Sequence, residues 1–138
     1  MTQMLGKYRS GLPQLLGGLF LTDGGLETTM VFHEGLDLPD FAAFTLFESV
    51  EGEAALRRYY ESYADIAKRR NAGLIIESAT WRASADWGAK LGFTPQALEA
   101  ANRRAVQLLE KVRSLYEGIP IVIAGCVGPP RRWIYSRQ

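Results

Sequence analysis

The sequence predicts an α/β fold with a parallel sheet, because three short apolar runs are separated by helical patterns. The runs cover residues 19–21, 74–78 and 119–126. Strands that alternate with helices form parallel sheets, since the connections between parallel strands are long enough to hold a helix. Each run ends in polar residues, and the carboxyl ends of parallel strands meet at one edge of a sheet. We therefore expect one composite site at that edge.

The chain has 138 residues, which is enough for one ordinary domain. Of these residues 47% are hydrophobic and 22% are charged, a composition typical of a globular protein. A net charge of +1 gives no reason to expect nucleic acid or an anionic membrane as a partner. No stretch approaches the ~20 apolar residues that span a bilayer. The single cysteine, Cys126, excludes an internal disulfide and fits a reducing compartment, so we expect a cytoplasmic protein.

The first strand leads directly into an acid and two glycines. Residues 1–18 are expected to form a capping segment, and the apolar run 19–21 that follows ends at Asp23, Gly24 and Gly25. Glycine has no Cβ, so this loop lets the backbone come close to a ligand. Aspartate and glycine are also common in tight turns. A ligand loop and a simple turn both remain open from the spacing alone.

The connection to the second strand is predicted to be a loop-rich segment over residues 32–47, followed by a helix from about Val50. Apolar and aromatic residues recur there at helical spacing. The tyrosines of this helix are interpreted as its packing face; they are Tyr59, Tyr60 and Tyr63. Asn71 and Gly73 are expected to end the helix as a C-terminal cap.

The second strand, residues 74–78, shows no alternation of apolar and polar residues, so both of its faces are predicted to be buried. Glu77 lies within it, and a lone buried carboxylate is costly. Glu77 therefore needs a partner, which is Arg82, another structural ion pair or a ligand. Trp81 and Trp87 are predicted to pack, although an aromatic at the mouth of a strand can also wall a pocket.

A second long helix is predicted before the third strand. A short helical piece over residues 85–91 precedes it. Thr94 is expected to cap the long helix, Pro95 suits its first position, and Gly118 is expected to end it.

Cys126, at the end of the third strand, is interpreted as a small buried apolar residue and not as a nucleophile or metal ligand. The chain has no second cysteine, and its one histidine, His33, has no spacing that ties it to Cys126. His33 lies in a loop and is expected to be solvated.

Together, these segments resemble the homocysteine S-methyltransferase family. The resemblance covers about residues 19–129 and rests on three motifs: LTDGGLET at 21–28, ESATWRAS at 77–84 and GCVGP at 125–129. Members of this family are (β/α)₈ barrels that transfer a methyl group to the sulfur of homocysteine, giving methionine. They bind zinc through cysteine thiolates, which are ligands that zinc prefers.

The resemblance implies that homocysteine is held by Asp23, Gly24 and Gly25, with Thr80 and Trp81 lining the same mouth, and that a methyl donor is the second substrate. No catalytic and no metal-ligating residue is assigned in this chain. The family's zinc cysteines include an adjacent pair that this sequence lacks, and Cys126 does not correspond to them. Zinc is therefore expected in the complete family enzyme and not as a cofactor of this chain.

The resemblance further implies the first three βα units of a (β/α)₈ TIM barrel. A complete barrel needs about 250 residues, so this chain is expected to be truncated and unable to close. The partial barrel covers residues 19–129, and residues 130–138 form an atypical basic tail. We expect an N-terminal fragment that is inactive alone and associates with itself through exposed strand edges. The alternative is a small parallel α/β module that binds a polar metabolite without catalysis.

Overall fold

A computed structural model of the chain describes residues 6–131, in which three parallel strands form one sheet. The strands, in spatial as well as sequence order, are β1 (Phe20–Thr22), β2 (Gly73–Glu77) and β3 (Ile121–Ala124). The mixed α/β class and the parallel sheet are confirmed. Across residues 6–131 the sheet is open, with β2 between two edge strands. That these strands belong to the first three βα units of a (β/α)₈ TIM barrel stays a prediction.

Helices fill the connections between the strands. They are α1 (Leu26–Phe32), α2 (Val50–Arg69), α3 (Ala85–Lys90) and α4 (Pro95–Leu115), with 3₁₀ turns at Pro13–Leu16, Pro39–Phe41 and Ala43–Glu48. The two long helices begin where the sequence predicts them, and the segment expected to be rich in loops holds two of the 3₁₀ turns. In the described part of the chain, none of the helices combines the length and the apolar character needed to cross a bilayer.

The helix ends follow the predicted capping chemistry at Asn71, which is left-handed just after α2, and at Thr94 and Pro95 at the start of α4. They depart from it at Gly73 and Gly118. The Thr94 hydroxyl accepts a hydrogen bond from the backbone N–H of Ala97 at 3.1 Å, as expected of a cap. Gly73 does not end α2: it is the first residue of β2, and a Cβ there would lie 2.2 Å from the ring of Phe20. Gly118 does not end α4, which stops at Leu115; its φ of +93° instead turns the chain toward β3.

The core lies between the sheet and the helices. Leu74 and Ile76 are fully buried on the helix side of β2, whereas Ile75, on the opposite face, is half-buried. The prediction that both faces of this strand are buried is therefore correct for the helix side only. Ile75 pairs in register with Val122 of β3, which is itself buried, so the face opposite the helix side of β2 is only partly exposed.

Candidate functional site

The three strands end at one cleft of about 320 Å³. It is lined by residues from all three strand-end loops and the start of α1: Asp23, Gly24, Gly25, Leu26, Glu27, Glu77, Ser78, Ala79, Trp81 and Cys126. The structure thus brings together four of the five residues predicted to hold substrate, and Thr80 is the exception. That these residues bind a ligand stays a prediction.

Asp23 links the ends of β1 and β2 to α2. One carboxylate oxygen, Oδ1, accepts a hydrogen bond from the backbone N–H of Glu77 at 2.9 Å, and the other lies 3.0 Å from the hydroxyl of Tyr59. Burial raises the pKa of Asp23, and the nearby charge of Glu77 adds to this, while the two hydrogen bonds act in the opposite direction. Asp23 is therefore both a structural link and a carboxylate that faces the cleft.

The glycine pair leaves open space beside the backbone. The carbonyl of Gly24 accepts a hydrogen bond from the hydroxyl of Tyr63 at 2.7 Å. Gly25 has a φ of +71° and directly precedes α1, a conformation that glycine adopts without strain. A Cβ built on either glycine would contact nothing within 4 Å. The backbone at this point is thus accessible to a ligand.

The tyrosines of α2 reach the site with their hydroxyls, a role that their helical spacing does not predict. Their rings pack edge to face, with centroids 5.1 Å apart between Tyr59 and Tyr60 and 5.2 Å apart between Tyr59 and Tyr63, which confirms a packing role. The hydroxyl of Tyr60 also donates to the carbonyl of Glu77 at 2.7 Å. The one available signal was that this helical face carries tyrosine, which has a polar tip, in place of leucine or phenylalanine.

Glu77 is exposed at the cleft, so the prediction of a buried carboxylate was wrong. Successive side chains of a strand point to opposite faces, so Glu77 lies on the face of Ile75 and not on the helix side that buries Leu74 and Ile76. Arg82, one of the partners considered for it, instead stacks between two indoles. Its guanidinium carbon lies 4.0 Å from the ring centroid of Trp81 and 4.1 Å from that of Trp87. Trp87 is buried, as predicted, whereas Trp81 also walls the cleft.

Thr80 holds two of the strand-end loops together. Its hydroxyl is buried, donates to the carbonyl of Cys126 at 2.7 Å and lies 2.7 Å from the hydroxyl of Ser78. The oxygen of Ser78 in turn accepts from the backbone N–H of Cys126 at 3.0 Å. This network fixes the loop after β3 against the loop after β2. Thr80 therefore supports the cleft from behind, and a direct contact with substrate stays a prediction.

Cys126 is half-buried and lines the cleft, so it is less enclosed than predicted. Burial raises the pKa of its thiol, and the charges of Glu77 and Glu27 raise it further. Both effects favour the neutral thiol, whereas a zinc ligand must be a thiolate. His33 is exposed at the end of α1. Among residues 6–131, no group of three or more His, Cys, Asp or Glu side chains is arranged to hold a metal ion, and the residues present do not fit a zinc site.

Comparison with known proteins gives one family. The sequence model described as homocysteine S-methyltransferase matches residues 20–136. The match extends to residue 136 and so includes most of residues 130–138, which we expected to leave the family pattern. Residues 132–138 lie outside the residues that the structure describes. No curated protein and no solved structure matches the chain.

Proposed function

The chain belongs to the homocysteine S-methyltransferase family, and from this membership we propose that it supplies the amino-acid pocket of a site that methylates homocysteine to methionine. The observation that carries the proposal is the cleft at the strand ends, where Asp23 lies beside two glycines with open space at their backbone. A methyl donor would be the second substrate.

The charge of the cleft supports an amino acid bound through its ammonium group. Three carboxylic acids line the cleft, Asp23, Glu27 and Glu77, and none of its lining residues is basic. An ammonium ion in this half-buried surrounding makes charge-assisted hydrogen bonds to a carboxylate. The Asp23 carboxylate, held at both oxygens, is the group that we assign to the α-ammonium of homocysteine.

We propose that the chain does not methylate homocysteine by itself. Its one cysteine has a raised thiol pKa and stands in a surrounding that does not fit zinc. The zinc ligands of the family enzyme would then belong to residues other than those of this chain. In this interpretation the chain provides the first three βα units of a TIM barrel in a reducing compartment such as the cytoplasm.

Calorimetric titration with two ligands tests the binding half of the proposal. We expect homocysteine to bind, and 4-mercaptobutyrate, which lacks only the α-amino group, to bind much more weakly. Asp23→Asn should remove this preference, whereas Asp37→Asn, at an exposed position outside the cleft, should keep it. Equal affinity for the two ligands in the unmodified chain would show that the cleft does not recognise the ammonium group.

The catalytic half is tested by incubating the purified chain with zinc, homocysteine and a sulfonium methyl donor such as S-methylmethionine or S-adenosylmethionine. We expect no methionine above a control without protein. Methionine formation that depends on the chain would refute the inactivity of the chain alone.

A further inference from the structure

We propose that the hydroxyl of Tyr59 positions the Asp23 carboxylate in the cleft, and, if the proposed function holds, sets how that carboxylate meets the ammonium group of the amino acid. Tyr59 is then a positioning residue, in addition to its packing role in α2. The Tyr59 side chain does not itself line the cleft.

The geometry holds the carboxylate at both ends. The hydroxyl of Tyr59 lies 3.0 Å from Oδ2 of Asp23 and 2.9 Å from the carbonyl oxygen of Gly24. The backbone N–H of Glu77 binds the other carboxylate oxygen at 2.9 Å. Two donors on two oxygens define the plane of the carboxylate. Because the Tyr59 side chain is 5% exposed and packs against two other tyrosine rings, its hydroxyl has little freedom to move.

The neighbouring tyrosines make different contacts, which separates their roles. Tyr63 donates to the carbonyl of Gly24 at 2.7 Å, and Tyr60 donates to the carbonyl of Glu77 at 2.7 Å. Of the three, Tyr59 alone contacts the Asp23 carboxylate. Tyr63 therefore offers a matched control, because it lies on the same helix, binds the same loop and leaves the carboxylate untouched.

The hydrogen bond from Tyr59 affects the pKa of Asp23, and other ionisable groups lie close to that carboxylate. Asp23 shares its cleft with the ionisable groups of Glu27, Glu77 and Cys126. The hydroxyls of Tyr59, Tyr60 and Tyr63 reach the strand ends from α2 without lining the cleft. Burial and the charge of Glu77 raise the pKa of Asp23, and the hydrogen bond from Tyr59 lowers it. Loss of that hydroxyl should raise the pKa of Asp23 further and reduce the fraction of charged carboxylate available to an ammonium ion.

The decisive measurement is a pH titration of the Asp23 carboxyl carbon by NMR in the free chain, with Asp23→Asn identifying the resonance. In Tyr59→Phe we expect the titration midpoint to move to higher pH. In Tyr63→Phe it should stay close to that of the unmodified chain. A midpoint that does not move in Tyr59→Phe, or that moves equally in both variants, would overturn the inference. Loss of thermal stability alone, without this difference, would mark Tyr59 as purely structural.

Homocysteine titrations at several pH values then test the link to the ligand. Tyr59→Phe should weaken binding about tenfold near neutral pH, since a hydrogen bond to a charged group is of that strength, and should move the acid limb of the binding curve to higher pH. Tyr63→Phe should keep the position of that limb. If the unmodified chain binds no homocysteine, the proposed function fails. The NMR titration is made without ligand, so it still tests whether Tyr59 positions the Asp23 carboxylate.

Discussion

At the residue scale, Asp23 combines a structural and a ligand-facing role, and two substitutions separate them. Asparagine keeps an oxygen that can accept from the N–H of Glu77, so Asp23→Asn should leave the melting temperature nearly unchanged while homocysteine binding falls. Asp23→Ala removes both hydrogen bonds and should destabilise the chain by about 1–3 kcal/mol. Thermal melts and ligand titrations of the two variants check this. Collapse of stability in Asp23→Asn with surviving affinity would make Asp23 structural.

The raised pKa of Asp23 also predicts a pH dependence of stability. A carboxyl whose pKa is higher in the folded than in the unfolded state binds more protons when the chain is folded. Its contribution to the free energy of unfolding is therefore fully present below the unfolded pKa and is lost as the pH rises through the folded pKa. Urea unfolding at a series of acidic pH values should therefore show this loss in the unmodified chain, and a smaller one in Asp23→Asn. Identical pH profiles would contradict the raised pKa.

Cys126 should react slowly with thiol reagents. Its thiol pKa is raised by burial and by the charges of Glu77 and Glu27, and the thiolate is the reactive form. We expect its alkylation by iodoacetamide to require a higher pH than that of a free cysteine. Glu77→Gln removes one of these charges and should move the rate profile to lower pH. A reactivity that equals that of free cysteine would show that the surrounding acids do not act on the thiol.

At the element scale, the loop after β3 is fixed by its close approach to the loop after β2. A Cβ on Gly128 would lie 2.0 Å from the carbonyl oxygen of Trp81, which is backbone and cannot yield, whereas a Cβ on Gly125 would meet nothing within 4 Å. Gly128→Ala should therefore displace the loop, lower the melting temperature and change the fluorescence of the tryptophans. Gly125→Ala is the matched control and should melt like the unmodified chain. Equal behaviour of both variants would contradict this packing.

The elements also show what the sequence could and could not predict. Patterns that depend on neighbours along the chain were read correctly, such as the period of α2 and the cap at Thr94. Features that depend on distant segments were not, because spacing does not say how far a side chain reaches. The apolar character of β2 predicts a buried Glu77, and no spacing along the chain connects the hydroxyl of Tyr59 with Asp23, which lies 36 residues away.

At the scale of the whole molecule, the open sheet is the feature that most affects behaviour in solution. Within residues 6–131, β1 and β3 each pair on one side, and Ile75 of β2 is only half-buried. Unpaired edges present backbone N–H and C=O groups to other chains. Leucines before β1 add apolar surface, with exposures of 75% at Leu15, 87% at Leu16 and 70% at Leu19.

We therefore expect the purified chain to associate with itself. Sedimentation velocity should show species larger than a monomer, in proportions that grow with concentration. Leu19→Lys places a charge beside β1 and should reduce the association, because lysine at a sheet edge opposes pairing. Leu115→Lys, at the end of α4, exposes a comparable charge away from the strand edges and should leave the association unchanged. A single monomeric species at every concentration would mean that these edges are protected, and an equal effect of the two lysines would mean that the contact does not involve the edge of β1.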